Sequence, residues 1–245
     1  MPVFLLSEKI AFPPPHYATR EGLLAVGGDL SRERLLLAYR MGIFPWYAED
    51  EPILWWSPDP RLVLYPTELH VSKTLNKILK QDRFAVTMDA AFEQVIRACA
   101  RTRQEQGEGT WIVDEMITAF VKLHRAGYAH SVETWQEERL VGGLYGVSLG
   151  KAFFGESMFS ISSNASSVAL VTLVRFLQAL KFDFVDCQVT TAHLMRFGAR
   201  QVPRARFLKQ LRKALTTPTL KGRWDLRFTR GDRTSPPVDI AADEL

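Results

Sequence analysis

Two short stretches of this 245-residue chain hold side chains that could do chemistry at strand spacing. One is Phe153-Phe-Gly-Glu-Ser-Met-Phe-Ser160, and the other is Asp186-Cys-Gln188 within an apolar run ending at Val189. Residues two apart on a strand share a face, so Asp186 and Gln188 are expected to point the same way, as are Glu156 and Met158. A carboxylate and an amide closing a buried strand cost free energy unless they bind something; a satisfied hydrogen-bond network at the core's edge is the plainer alternative. A third stretch, Gly42 to Arg61, carries Trp46, Trp55 and Trp56 among Pro45, Pro52, Pro58 and Pro60. The prolines are expected to exclude a helix and any central strand, leaving the aromatics on an irregular wall. Flat rings beside Arg61 suit stacking on unpaired bases. Packing as a small cluster under a long loop is the other reading.

A competing catalytic pattern is Gly146-Val-Ser-Leu-Gly150, with Ser148, Asp186 and His193 in the chain order of an α/β-hydrolase. A nucleophile elbow needs strand, turn and then helix, whereas Lys151 to Phe159 reads as a further strand, so the hydrolase reading is set aside. His193 is expected to be structural. Neither GxGxxG nor GxxxxGK[ST] is present to cradle a phosphate. Cys99 and Cys187 lack a CxxC partner, which argues against a zinc site or a disulfide framework.

These side chains need elements to hold them. Residues 1–61 are rich in Pro, Gly and aromatics, with one helix capped by Ser31 and carrying Leu35, Leu36, Ala38 and Tyr39 before Gly42. They are expected to form a small loop-rich N-terminal domain. Residues 62–215 read as a strand, a basic helix, a strand from Phe84, helices from Ala91 and near Asp114, and three strands from His130, Leu140 and Lys151. A long apolar helix at Ala165–Leu180, a buried strand from Phe184 and a helix near Pro203–Leu215 complete them. Residues 216–245 have few large apolars and are expected to be a partly mobile tail. The order is that of an α+β fold with a mixed sheet.

Composition favours a globular chain, with 47% hydrophobic and 24% charged residues. No run of about 18 apolar residues is present to span a membrane, and the first ten residues do not read as a signal peptide, so a cytoplasmic location is expected. The net charge of +4 is too small to announce a nucleic-acid binder by itself. Its distribution says more: Lys73, Lys77 and Lys80 fall on one helical face, a candidate phosphate-tracking stripe or an ordinary solvated one. Arg200, Arg204, Arg206, Lys209 and Arg212 form a second basic run of mixed spacing.

Seven blocks in order carry a family resemblance: Gly22 to Leu30, Gly42 to Trp46, Leu54 to Arg61, Gly109 to Ile112, Leu140 to Gly143, Gly155 to Ser160 and Asp186 to Gln188. Together they resemble the leucyl/phenylalanyl-tRNA–protein transferases. The resemblance implies an enzyme taking Leu or Phe, less readily Met, from aminoacyl-tRNA and joining it to a protein's N-terminal Arg or Lys. The product would be marked for N-end rule degradation and handed to the adaptor and protease of that pathway. It also implies a monomer, an acetyltransferase-like (GNAT-type) domain behind the small N-terminal one, and no cofactor. By resemblance, Trp46 and Trp111 hold the terminal adenosine of the tRNA, and Asp186 and Gln188 form the catalytic pair, Asp186 orienting Gln188 and attracting the cationic acceptor. Glu156 anchors the ribose or the acceptor chain. Lys73, Lys77 and Lys80 become candidate tRNA contacts. The aminoacyl pocket is expected from Leu144, Phe153, Met158, Leu170, Leu173, Leu177 and Val185. Leu144, Leu173 and Leu177 depart from the Met or aromatic residues associated with the family there, which leaves the preference between Leu and Phe open. A second departure, in His193-Leu-Met-Arg-Phe-Gly198, is expected to lie beyond the site.

The chemistry agrees with this reading. An aminoacyl ester is already activated, so amide formation needs alignment, proton removal and oxyanion stabilisation, and neither ATP nor a metal. An acyl-CoA-dependent N-acyltransferase would need a phosphate loop. A noncatalytic RNA-binding module would leave Asp186, Gln188 and the apolar pocket without a purpose.

Overall fold

The computed structural model describes residues 3–81, 83–105, 112–224 and 226–228. Elements run β1 (Phe4–Leu6), β2 (Leu23–Gly27), α1 (Arg32–Arg40), β3 (Phe44–Pro45), β4 (Leu54–Trp56), β5 (Arg61–Leu64), α2 (Lys73–Lys80), β6 (Ala85–Met88), α3 (Phe92–Glu105) and α4 (Asp114–Arg125). Then follow β7 (Ala129–Gln136), β8 (Arg139–Leu149), β9 (Ala152–Ser160), α5 (Ala165–Ala179), β10 (Phe184–Gln188), α6 (Ala192–Met195), β11 (Arg200–Val202), α7 (Arg204–Ala214) and β12 (Leu226–Phe228).

Two mixed sheets result, in a mixed α/β chain. The first has the order β1-β2-β4-β3, and the second β11-β5-β10-β9-β8-β7-β6-β12. The Pro-rich run does hold a central strand, contrary to the expectation from its prolines. β4 is three residues long, fits between Pro52 and Pro58, and lies between β2 and β3, while Pro45 sits on the edge strand. β12 pairs with β6 inside the stretch expected as tail; residues 229–245 lie outside those described.

Side-chain alternation on the large sheet separates two cores. Tyr145, Val147, Leu149, Phe154 and Phe184 face one with α3, α4 and α7, and Leu144, Phe153 and Val185 face the other with α2 and α5. Residues Ala165 through Val174 of α5 are all buried, which explains a helix apolar on every side. Gly146 is required by contact: a Cβ there would lie 2.2 Å from the Phe154 carbonyl oxygen and 2.5 Å from the Phe153 ring. Ser148, the serine of the hydrolase-like pattern, lies fully buried inside β8 on no strand-to-helix elbow.

Among the described residues, β9 and β10 are the one parallel pair of the large sheet, joined through α5. Their pairing runs from Phe184/Ala152 to Asp186/Phe154 and stops. β9 continues to Ser160 and β10 to Gln188. The two therefore part at their C-terminal ends, the end of an open sheet where ligands are usually received.

Candidate functional site

A cavity of about 660 Å3 opens where β9 and β10 part, a size in the range of small-ligand pockets. Its wall includes Leu144, Phe153, Met158, Leu170, Leu173 and Val185, with Glu156, Ser157 and Gln188 among the polar members. Phe44, Pro45 and Trp46 contribute from the smaller sheet. Leu177 belongs to the core behind this wall, fully buried and absent from the lining.

Irregular backbone aims the polar groups. In β8/β9 the register slips between Tyr145 and Gly146, which pair with Ser157 and Gly155, so Glu156 is the extra residue of a bulge. In β10 the register against β5 slips between Asp186 and Gln188, and Gln188 has φ +60°. Both slips break the simple two-residue alternation expected of these strands. A glutamine in the left-handed region costs free energy and persists only when its surroundings hold it. Here the Gln188 backbone amide donates to Asp186 Oδ1 at 2.9 Å, a side chain fixing the backbone two residues on.

Asp186 itself does not reach the cavity. It is fully buried, and Arg61 grips it with two bonds, Nε to Oδ1 at 2.8 Å and Nη2 to Oδ2 at 2.7 Å. The Arg61 guanidinium sits 4.7 Å from the Phe44 ring centroid and 4.8 Å from that of Phe207. Arg61 is thus no stacking neighbour for a base. The Asp186 charge is matched by Arg61 and its carboxylate holds the Gln188 backbone, so no unmatched charge on Asp186 faces the cavity.

Glu156 is the carboxylate in the cavity wall. Its Oε1 accepts from the Tyr39 hydroxyl and from the Gln188 side-chain amide, each at 2.8 Å. Its Oε2 is buried without a partner among the described residues. Burial pushes the carboxyl up to about 8; nearby Asp186 also raises it, while the Tyr39 and Gln188 hydrogen bonds oppose the rise. Near neutral pH Glu156 is therefore mostly a carboxylic acid, with Oε2 as the proton-bearing atom. Burial, with the Glu156 charge second, raises the Tyr39 hydroxyl well above its ordinary value, so it stays a donor. In the sequence Tyr39 stands out only as an apolar position of α1; nothing in its spacing points to a carboxylate 117 residues away.

The tryptophans divide. Trp46 stands at the cavity wall with 40% of its surface exposed. Trp56 lies 5.6 Å from it, ring centroid to centroid, and donates from Nε1 to the Trp46 carbonyl at 2.6 Å. Trp55 is core, fully buried, with Nε1 on the Gly27 carbonyl. Trp111 lies outside the described residues. Lys73, Lys77 and Lys80 are exposed on α2, with Leu75 and Leu79 turned inward, and none of the three lines the cavity. His193 and Leu194 do line it, so the segment expected beyond the site is part of its wall. Among the described residues no cluster of three or more His, Cys, Asp or Glu is placed to hold a metal.

Residues 63–212 match the family described as Leucyl/phenylalanyl-tRNA protein transferase, and residues 28–59 match its N-terminal domain. A relative from Desulfatibacillum aliphaticivorans, named Leucyl/phenylalanyl-tRNA--protein transferase, is 61% identical, with 94% of this chain and 99% of the relative covered. Another of that name, from Anaeromyxobacter sp. (strain Fw109-5), is 58% identical over 95% of this chain and 98% of its own. A solved structure of a conserved protein of unknown function from Bacteroides thetaiotaomicron VPI-5482 is similar at TM-score 0.39 and 7% identity, covering 80% of this chain and 66% of that one. That likeness is too loose to assign a fold family.

Proposed function

The chain belongs to the leucyl/phenylalanyl-tRNA protein transferase family, and from that premise we propose that it moves Leu or Phe, less readily Met, from aminoacyl-tRNA to the N-terminal Arg or Lys of acceptor proteins. The observation that carries this reading is the cavity between the parted strands, apolar on its floor and bearing the unpartnered Glu156 Oε2 beside Gln188. An apolar side chain unbranched at Cβ, as in Leu, Phe and Met, suits a wall of Leu144, Phe153, Leu170 and Leu173. Swapping one apolar lining residue is worth only about 1–3 kcal/mol, so both donors should be usable.

The proposed roles rest on the family resemblance together with the geometry of the cavity. Trp46 stacks on the terminal adenosine, joined by Trp111. Glu156 donates from Oε2 to the terminal ribose and protonates the departing ribose oxygen, while Gln188 faces the tetrahedral centre and Asp186 holds Gln188 in its strained backbone. Lys73, Lys77 and Lys80 track tRNA phosphates. The proposed organisation is a small domain at 1–61, a GNAT-type domain at 62–215 and a tail at 216–245. The proposed setting is a cytoplasmic monomer whose products enter N-end rule degradation, with no cofactor in the reaction.

The test is transfer of label from Leu-, Phe- or Met-tRNA to acceptor proteins that differ only in their first residue, without ATP and with EDTA. Transfer restricted to Arg- and Lys-starting acceptors and indifferent to EDTA is expected. Strict dependence on ATP or a metal would sink the mechanism.

A further inference from the structure

Beyond Gln188 the chain returns to the cavity with a second polar group. Thr191 caps α6 by accepting from the Leu194 backbone amide at 3.2 Å, and this sets His193 in the cavity wall. The imidazole packs edge-on against buried Phe197, with ring centroids 5.2 Å apart, so packing orients it. Its Nε2 is shielded from solvent with no hydrogen-bond partner among the described residues. Such an atom costs free energy unless something satisfies it. The charged group beside it is Arg196, just past its own short helix, while Glu156 and Cys187 of the parted strands line the same cavity. Burial, and secondly Arg196, lowers the imidazole below the ordinary histidine value, whereas burial raises Glu156 to about 8. One cavity wall thus holds a neutral proton acceptor and a neutral proton donor: burial keeps the imidazole in the neutral form it already favours near pH 7, and it reverses the ordinary state of the carboxyl.

We propose that His193 is a catalytic base of the transfer reaction, its Nε2 taking the proton from the acceptor nitrogen as the peptide bond forms. This rests on the aminoacyl-transfer reading above. The neutral fraction of the acceptor amine attacks the ester carbonyl; the C–N bond forms and the carbonyl π pair moves to oxygen. The nitrogen is now cationic and more acidic than an ordinary ammonium, so a weak base suffices, and its proton passes to Nε2 of the Nδ1–H tautomer. The oxygen pair then returns, the ester C–O bond breaks toward the ribose, and the ribose oxygen takes the proton of Glu156 Oε2. Water carries the His193 proton back to Glu156, which restores both groups with no oxidant, metal or nucleotide consumed.

Single-turnover transfer from Phe-tRNA to an Arg-starting peptide tests this, with wild type, His193→Gln and His193→Ala compared between about pH 5.5 and 8.5 and with imidazole added. Both variants should transfer about a hundredfold more slowly or worse at unchanged Phe-tRNA affinity, and their acidic limb should follow the titration of the acceptor amine alone, without the steeper fall that protonation of His193 adds in the wild type. Imidazole should restore part of the rate to His193→Ala. A near-wild-type rate in His193→Gln would overturn the proposal, as would a loss accompanied by weakened Phe-tRNA binding and not relieved by imidazole. A wild-type protein that transfers to no acceptor would overturn the parent reading, and this one with it.

Discussion

The large sheet carries two clusters of buried carboxylates, and they differ in what they leave unsatisfied. Near β6 and β7, Asp89 accepts from the Ser131 and Trp224 backbone amides and pairs with His130 Nδ1 at 2.8 Å. Glu133 is held by Ser131 and Thr87 hydroxyls and by the Ala90 and Ala91 amides. Every oxygen of both carboxylates has a partner, although a cleft of about 940 Å3 lies alongside. At the parted ends of β9 and β10, one Glu156 oxygen, the buried Ser157 hydroxyl and His193 Nε2 have no partner among the described residues, and all three residues line the same cavity. Burial of charge does not by itself mark a site: at the first cluster both carboxylates are satisfied, and the buried atoms without a partner among the described residues, His130 Nε2 and Trp224 Nε1, belong to two rings stacked on each other in the core. Partnerless polar atoms of residues lining an apolar cavity are those a bound ligand or an ordered water can satisfy.

The largest expected effects fall at the second cluster. Gln188→Ala should cut turnover about a hundredfold or more while donor affinity stays near wild type. Asp186→Asn should match that loss in turnover, and Asp186→Asn and Asp186→Ala alike should cost about 3–5 kcal/mol in denaturant unfolding, because both leave Arg61 buried with its charge unmatched. Losses in Asp186→Asn and Gln188→Ala should combine to much less than their product, since the two act as a unit. Near-normal turnover in both single variants at saturating donor would break the contrast.

Glu156→Gln sharpens it through pH. The folded-state pKa of about 8 lies above the ordinary 4.5, so the native protein binds more protons than the unfolded chain between those values. The stability Glu156 contributes is present below the lower value and is lost as pH rises through the upper one. Relative to wild type, Glu156→Gln should therefore gain stability across that window. The gain should reach a few kcal/mol at the alkaline end, since each tenfold change in proton affinity is worth about 1.4 kcal/mol. Its turnover should fall by about tenfold or more. Parallel stability curves for the two proteins across the window would rule out Glu156 as the buried proton donor of the site.

A smaller effect of the opposite character is expected at the first cluster. Asp89→Asn should cost about 1–3 kcal/mol of stability and leave turnover of the folded protein unchanged. Smaller still, changing Lys73, Lys77 and Lys80 to Gln should weaken aminoacyl-tRNA binding and flatten its salt dependence, while use of a minimal aminoacyl-adenosine stays the same. Equal losses with both donors would mean that α2 does not touch tRNA.

The legible parts of this chain are those governed by long periodic patterns. β7, β8, β9 and the long, mostly apolar α5 follow from residue type alone, and the apolar floor of the cavity comes with them. Three-residue elements such as β4 and β12 offer too few positions for a period to register, and flanking prolines hide β4 further. The polar site is half legible. Gln188 and Glu156 can be singled out as expensive groups on buried strands, but Asp186 misleads because its partner Arg61 is 125 residues distant. Tyr39 and His193 escape sequence reading for the same cause: their roles depend on bulges and splayed strands, which leave no mark on local spacing.

The most direct test of the account is a crystal structure with a hydrolysis-resistant phenylalanyl-adenosine bound. The aminoacyl side chain should lie among Leu144, Phe153, Leu170 and Leu173, the adenine against Trp46, and the ribose within hydrogen-bonding distance of Glu156 Oε2. Density for the compound in the Asp89 cleft, with the cavity between β9 and β10 left empty, would contradict it.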